Sequence, residues 1–154
     1  MFNLTYQQEN FSDIKYELQP LLEKHWEEVA MYKDKVPYAP DWERYHALEA
    51  SGSLHIVTVR DAGELVGYYV SILTQGLHYR FTKYAVNDVV LIKPEYRNAS
   101  VGVELFRHTE RLLKEKEGVS VMTVHMKTFL PFDSLCEGLD FDYAERLYTK
   151  FIGD

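Results

Sequence analysis

The chain has 154 residues, 46% hydrophobic and 14% aromatic, with 24 Asp and Glu against 17 Lys and Arg for a net charge of −7. That length suits one compact domain spanning residues 1–154, and the composition excludes disordered and fibrous classes; no apolar run approaches the roughly 20 residues of a membrane span. The absence of a basic surplus argues against direct nucleic-acid binding, but it leaves a basic partner such as an amine open.

Residues 2–7 are expected to form a first strand. SDIKYELQPLLEKHWEEVA then places Ile14, Leu18, Leu21 or Leu22, and Val29 at helical spacing behind Ser12 or Asp13 as N-cap. Pro20 should kink or divide that helix, because it lacks an N–H and crowds the preceding turn. APDWERYHALEAS, opening on Pro40 and Asp41 and stopping at Gly52, is a second, short helix. SLHIVTVRDAGELVGYYVSIL alternates, turns at Asp61-Ala62-Gly63-Glu64 and resumes at Leu65, which predicts a β-hairpin. YRFTKYAVNDVVLIK is a further strand, long enough to need a bend or bulge. A tight turn leads into a helix over 99–117, followed by VSVMTVHMK as a buried strand, a short helix near 131–138, and FDYAERLYTKFIG as a closing strand. The expected fold is α+β, an α/β sandwich with a mixed, mostly antiparallel twisted sheet and helices on both faces, in the order β-α-α-β-β-β-α-β-α-β.

The turn at 97–102 is either an ordinary strand-to-helix connection or one built to hold something against the helix start. On the helix that follows, Val101, Leu105, Phe106, Leu112 and Leu113 share one arc, while Glu104, Arg107, Arg111 and Lys114 lie opposite. The first turn has N–H groups at Ala99, Ser100, Val101 and Gly102 that need acceptors, with the positive end of the helix dipole behind them. Small residues there would let the oxygens of a pyrophosphate approach.

The stretch Ile92-Lys93-Pro94-Glu95-Tyr96-Arg97-Asn98-Ala99-Ser100-Val101-Gly102 resembles motif A of the GNAT N-acetyltransferase superfamily, in which a strand runs through hPeyRxxGxG into a helix. The element order is similar over nearly the whole chain, and LDFDYAERLYTK looks like the family's closing segment. A looser similarity is to small GNAT-like proteins of tailed bacteriophages. Ser100 departs from the family's middle Gly; a left-handed backbone there would cost about 1 kcal/mol.

The resemblance implies acetyl-CoA as co-substrate, lying between the strand ending near Ile92 and the strand near Val124. Its pyrophosphate would rest on Arg97, Asn98, Ala99, Ser100, Val101 and Gly102. Its pantetheine arm would pair with the backbone of Val90, Leu91 and Ile92. The activity implied is direct transfer of acetyl to a primary amine, on a small molecule or on a protein. The alternative is a catalytically weak or inactive GNAT-fold binding or inhibitory module.

An amine acceptor must lose a proton before it attacks. Asp88 is the carboxylate within the apolar run AVNDVVLI, and by period two it shares a face with Val90 and Ile92. Asn87 would take that place if a bulge flips the parity. His78 and Tyr79, at the turn entering the strand, are candidates for a second base and for the acceptor pocket. Alignment on the family's ending puts Cys136 at the general-acid position. His25 and Glu28, with Trp26, Tyr32 and Tyr38 beside them, fall where the family's acceptor site is covered. His108 is expected to be structural. Neither metal-ligand spacing nor a Walker-type loop is present, so no metal is expected. The single Cys136 cannot form an internal disulfide, and the N-terminus lacks a basic region followed by an apolar one. Both agree with a cytoplasmic protein, or the host cytoplasm if phage-encoded. A homodimer is compatible with all of this.

Overall fold

The computed structural model describes residues 1–154, apart from the side chain of Ala99. β1 (Leu4–Gln8), β2 (Leu54–Asp61), β3 (Glu64–Gly76), β4 (Tyr79–Ile92) and β5 (Val121–Thr123) form one sheet in sequence order. The first four strands pair antiparallel, and β4–β5 is parallel across the helical crossover α3 (Ala99–Glu117). The β2–β3 hairpin closes through Ala62 and Gly63, with φ of 48° and 91°; positive φ at both central residues matches the right-handed twist of the flanking strands.

Helices α1 (Phe11–Val29) and α2 (Trp42–Ala50) cover one face. Phe11, Ile14, Leu18 and Leu22 of α1 pack there on Ile56, Tyr68, Val70 and Leu91. Phe11 and Leu18 are fully buried, each removing enough apolar surface from water to stabilise the fold by about 2 kcal/mol. Helix α1 begins after Asn10 rather than at Ser12 or Asp13, and it runs unbroken through Pro20. The expected division does not occur, because the packing of Leu18, Leu21 and Leu22 on the sheet outweighs one lost hydrogen bond. Asp41 caps α2 by accepting the Arg44 N–H at 2.9 Å.

The opposite face carries α3 and the short α4 (Asp133–Gly138). Val101, Leu105, Phe106 and Leu113 of α3 are buried there, and Gly118 ends the helix at φ 66°. The final strand expected over 141–153 does not form. Residues 142–154 lie in no helix or strand, and Tyr143, Leu147, Tyr148 and Ile152 are exposed. Alternation alone makes no strand without a neighbouring ladder to take its backbone hydrogen bonds. The strand β5 is only three residues long and pairs with β4.

Candidate functional site

Strand β4 departs from regular pairing at the residue singled out in the sequence. Val70 pairs with Val89, but Ser71 pairs with Asn87, so Asp88 is the extra residue of a bulge. Asp88 therefore does not share a face with Val90 and Ile92, as period two implied. Val90 and Ile92 pack toward α3 and α4, whereas Asp88 meets α2. Its Oδ2 accepts the Tyr45 hydroxyl at 2.5 Å, and the residue is otherwise exposed. Burial first, and then the bond to Asp88, push the Tyr45 phenol far above its ordinary value, so it stays protonated and donates. The Tyr68 phenol on β3 is fully buried and raised by burial, with Tyr45, Tyr38, Asp88 and Glu28 adding to the shift. The hydroxyls of Tyr68 and Tyr38 have no partner among the described residues.

At the same point β4 and β5 part. Their pairing ends at Val86 with Thr123. Beyond it the Asn87 side chain spans the opening, its Oδ1 accepting the His125 N–H at 2.8 Å and its Nδ2 donating to the His125 carbonyl at 3.5 Å. Asn87 thus braces the mouth of the gap. Along the open edge, the Ile92 carbonyl accepts Arg97 Nε at 2.6 Å. By the strand's period, Val90 turns its N–H and C=O to that same edge, while Leu91 turns toward β3. Of the three residues expected to hold an extended arm, Val90 keeps its groups open to it.

The turn before α3 satisfies itself. Asn98 Oδ1 accepts the Ser100 and Val101 N–H groups at 3.1 and 3.2 Å and the Ser100 hydroxyl at 2.7 Å. The Gly102 N–H donates to the Asn98 carbonyl at 3.3 Å. The expectation of unpartnered N–H groups at Ser100, Val101 and Gly102 is not met, since an Asn at the N-cap supplies the acceptors. The Ala99 side chain lies outside the described residues. Ser100 is helical and has no positive φ, so the departure from Gly carries no backbone strain. Gly102 is buried toward α4, where an added Cβ would stand 2.7 Å from Leu135 Cδ1. Its smallness serves helix packing.

Arg97 reaches across to α1, its guanidinium 2.9 Å from Glu28 Oε1. That bond holds the Glu28 carboxyl below its ordinary range. His25, one turn earlier, is buried; desolvation lowers it, with Glu28 opposing and Arg97 and Lys127 adding to the effect. His25, Glu28 and Arg97 therefore form one cluster between α1 and the turn. His78 and Tyr79 do not join it. They sit at the tip of the β3–β4 hairpin, ten residues along the strand from Asp88, or roughly 30 Å at ~3.3 Å per residue. Cys136 lies in α4, buried among Val57, Tyr69, Leu105 and Phe106. Burial, with Asp133 and Glu137 nearby, raises its thiol, which keeps it a protonated thiol and a poor nucleophile. His108 stacks on Tyr6 at 4.9 Å, a structural role.

Sequence reasoning missed Tyr45 and His125. Neither carries a local signal, because each acquires its partner through a contact spanning 43 or 38 residues.

The model of the acetyltransferase (GNAT) family matches residues 16–130, well over half of the chain. The chain belongs to the GNAT acetyltransferase family. Comparison with curated proteins finds no match in sequence. Among solved structures, this GNAT chain is similar to an aminoglycoside acetyltransferase from an uncultured soil metagenomic sample, with TM-score 0.70 and 16% identity over 98% of this chain and 95% of that one. Glucosamine-6-phosphate N-acetyltransferase from Arabidopsis thaliana has a TM-score of 0.72 at 11% identity, covering 98% and 99%. A predicted acetyltransferase from Clostridium acetobutylicum, solved with acetyl-CoA, has a TM-score of 0.71 at 8% identity, covering 97% and 96%. The GNAT fold is common to all of them. No helix of the chain is long and apolar enough to cross a membrane.

Proposed function

We propose that this acetyltransferase moves acetyl directly from acetyl-CoA to a primary amine, with Asp88 taking the proton that the amine must lose. The observation carrying the assignment is the β4 bulge. It presents a carboxylate to solvent where the β4–β5 gap opens, with one oxygen already held by Tyr45. Acetyl-CoA fits the surroundings. The gap is open beyond Asn87, Val90 has backbone groups on its edge, and Ser100 is exposed at the start of a 19-residue helix. For the pyrophosphate to take the Ser100 and Val101 N–H groups, the Asn98 side chain must swing away, and Arg97 must exchange Glu28 for phosphate.

In the transfer, the ammonium first gives one proton to the free oxygen of Asp88, and the amine nitrogen then forms a bond to the thioester carbonyl carbon. The Val90 N–H is the donor available on the open edge for the developing oxyanion. The C–S bond then breaks, CoA leaves as a thiolate, and the second proton on the nitrogen passes to solvent. That thiolate is weakly basic, so early protonation helps little, and the buried Cys136 is not required. Asp88→Asn is expected to lower kcat on the order of 10² while leaving acetyl-CoA affinity unchanged. A variant with most of its activity at neutral pH would remove Asp88 from the mechanism.

A further inference from the structure

Beside Asp88, between α2 and the strands beneath it, a pocket of about 240 Å³ opens to the surface. Its chemistry is divided. The exposed Asp88 carboxylate lines it, with Tyr45 on Oδ2 and Oδ1 free of protein partners among the described residues. Its walls are Leu48 of α2, Leu54 of β2 and Ile72 of β3, each half-buried and none offering a side-chain hydrogen bond. At the rim Asp41 and Arg44 carry opposite charges, so a group emerging there meets no net charge.

A carboxylate beside an aliphatic wall matches one kind of ligand. The ammonium is drawn to Asp88, and the carbons next to it lie against Leu48, Leu54 and Ile72. Hydroxyls on those carbons would lose water there without gaining partners. We infer that the acceptor is a primary amine borne on an unbranched, unsubstituted alkyl arm, bound between α2 and the β4 bulge, and not an amine flanked by hydroxyls. This rests on the proposed acetyl transfer and on Asp88 as its proton acceptor, and it adds the substrate class. The walls would contribute through burial of methylene groups, each worth about fourfold in kcat/KM.

The test is CoA release by the full chain with acetyl-CoA and the series methylamine, propylamine and pentylamine, whose basicities are nearly equal. To these is added 3-amino-1,2-propanediol, which has propylamine's carbon skeleton with two hydroxyls. The expected result is kcat/KM rising about fourfold per methylene until the pocket is filled, with the diol on the order of tenfold or more below propylamine. Leu54→Asn should flatten the series while acetyl-CoA affinity stays close to the parent's, which shows that the variant is folded. A flat series in the parent, or a diol used as well as propylamine, overturns the inference and leaves acetyl transfer standing. So does an enzyme that binds acetyl-CoA yet turns over none of the alkylamines. Failure to bind acetyl-CoA and to release CoA with any amine would overturn the transferase proposal and this inference with it.

Discussion

Tyr45 and Asp88 meet through one 2.5 Å hydrogen bond across 43 residues of sequence, and that bond defines what each can do. A donor fixed on one carboxylate oxygen leaves the other free and aims it. The other groups facing Asp88 are Tyr68 on β3, protonated like Tyr45, and Asp41 and Arg44 on the pocket rim. Tyr45→Phe removes the donor that aims the carboxylate, so kcat should fall about tenfold, with acetyl-CoA affinity unchanged. A kcat equal to the parent's in that variant would leave Tyr45 a packing residue only. Asn98 poses a separate question, since its side chain caps the same N–H groups that a pyrophosphate would use. Asn98→Ala should cost about 1 kcal/mol in urea unfolding, as a lost N-cap does. Its affinity for acetyl-CoA by calorimetry should be no weaker than the parent's, because the phosphate then meets uncapped donors. Markedly weaker binding would make the Asn98 side chain a ligand of the cofactor.

Helix α3 was the most legible element, because apolar spacing, a Gly stop at 118 and the small residues at its start all agree. The β2–β3 hairpin followed from its Ala-Gly turn in the same way. What escaped the sequence depends on partners far along the chain. A bulge at Asp88 was allowed for by the length of β4, but its position is fixed by how β4 registers on β3, and one residue of slip changed which face Asp88 joins. The closing strand was read from alternation that found no ladder. His55, cross-strand from Ser71 under α3, is another element-scale feature. It is 1% exposed, neither ring nitrogen has a partner among the described residues, and Ser71 Oγ is equally unpaired. Desolvation lowers His55 from its ordinary 6.5, with Glu117 opposing and Lys83 adding, and burial lowers His25 likewise. A depressed folded value means that this stability is fully present above about pH 6.5. It is lost as pH falls toward the folded values, by at most about 1.4 kcal/mol per pH unit for each group. The lowered carboxyls of Glu17 and Glu28 act below about pH 4.5, outside that window. Urea unfolding should therefore show the protein less stable at pH 5.5 than at pH 7.5, and His55→Gln should shrink the difference. Equal stability at both pH values would mean that the imidazole gains a partner the structure does not give it.

At the scale of the whole molecule, two helical layers are held at fixed places on one sheet, and the site lies where they meet its opening strands. Arg60 ties α1 to the sheet through Glu17 at 2.7 Å and Glu9 at 2.9 Å. The Arg97–Glu28 pair links α1 to the turn before α3. The net charge of −7 would suit a cationic acceptor arriving at Asp88 yet oppose an anionic co-substrate, so the proposed reaction needs local positive potential at the start of α3. That is where the account is most exposed. The direct test is thermal unfolding of the parent and of Ser100→Glu, each with and without acetyl-CoA at 100 times the parent's Kd. A carboxylate in the first turn is favourable to the helix dipole, so the variant should fold with an unchanged midpoint, while its charge repels the pyrophosphate. The parent should gain about 2.7 kcal/mol from the ligand and the variant almost nothing. A parent that acetyl-CoA does not stabilise, or a Ser100→Glu protein stabilised equally, would contradict a cofactor site at the start of α3.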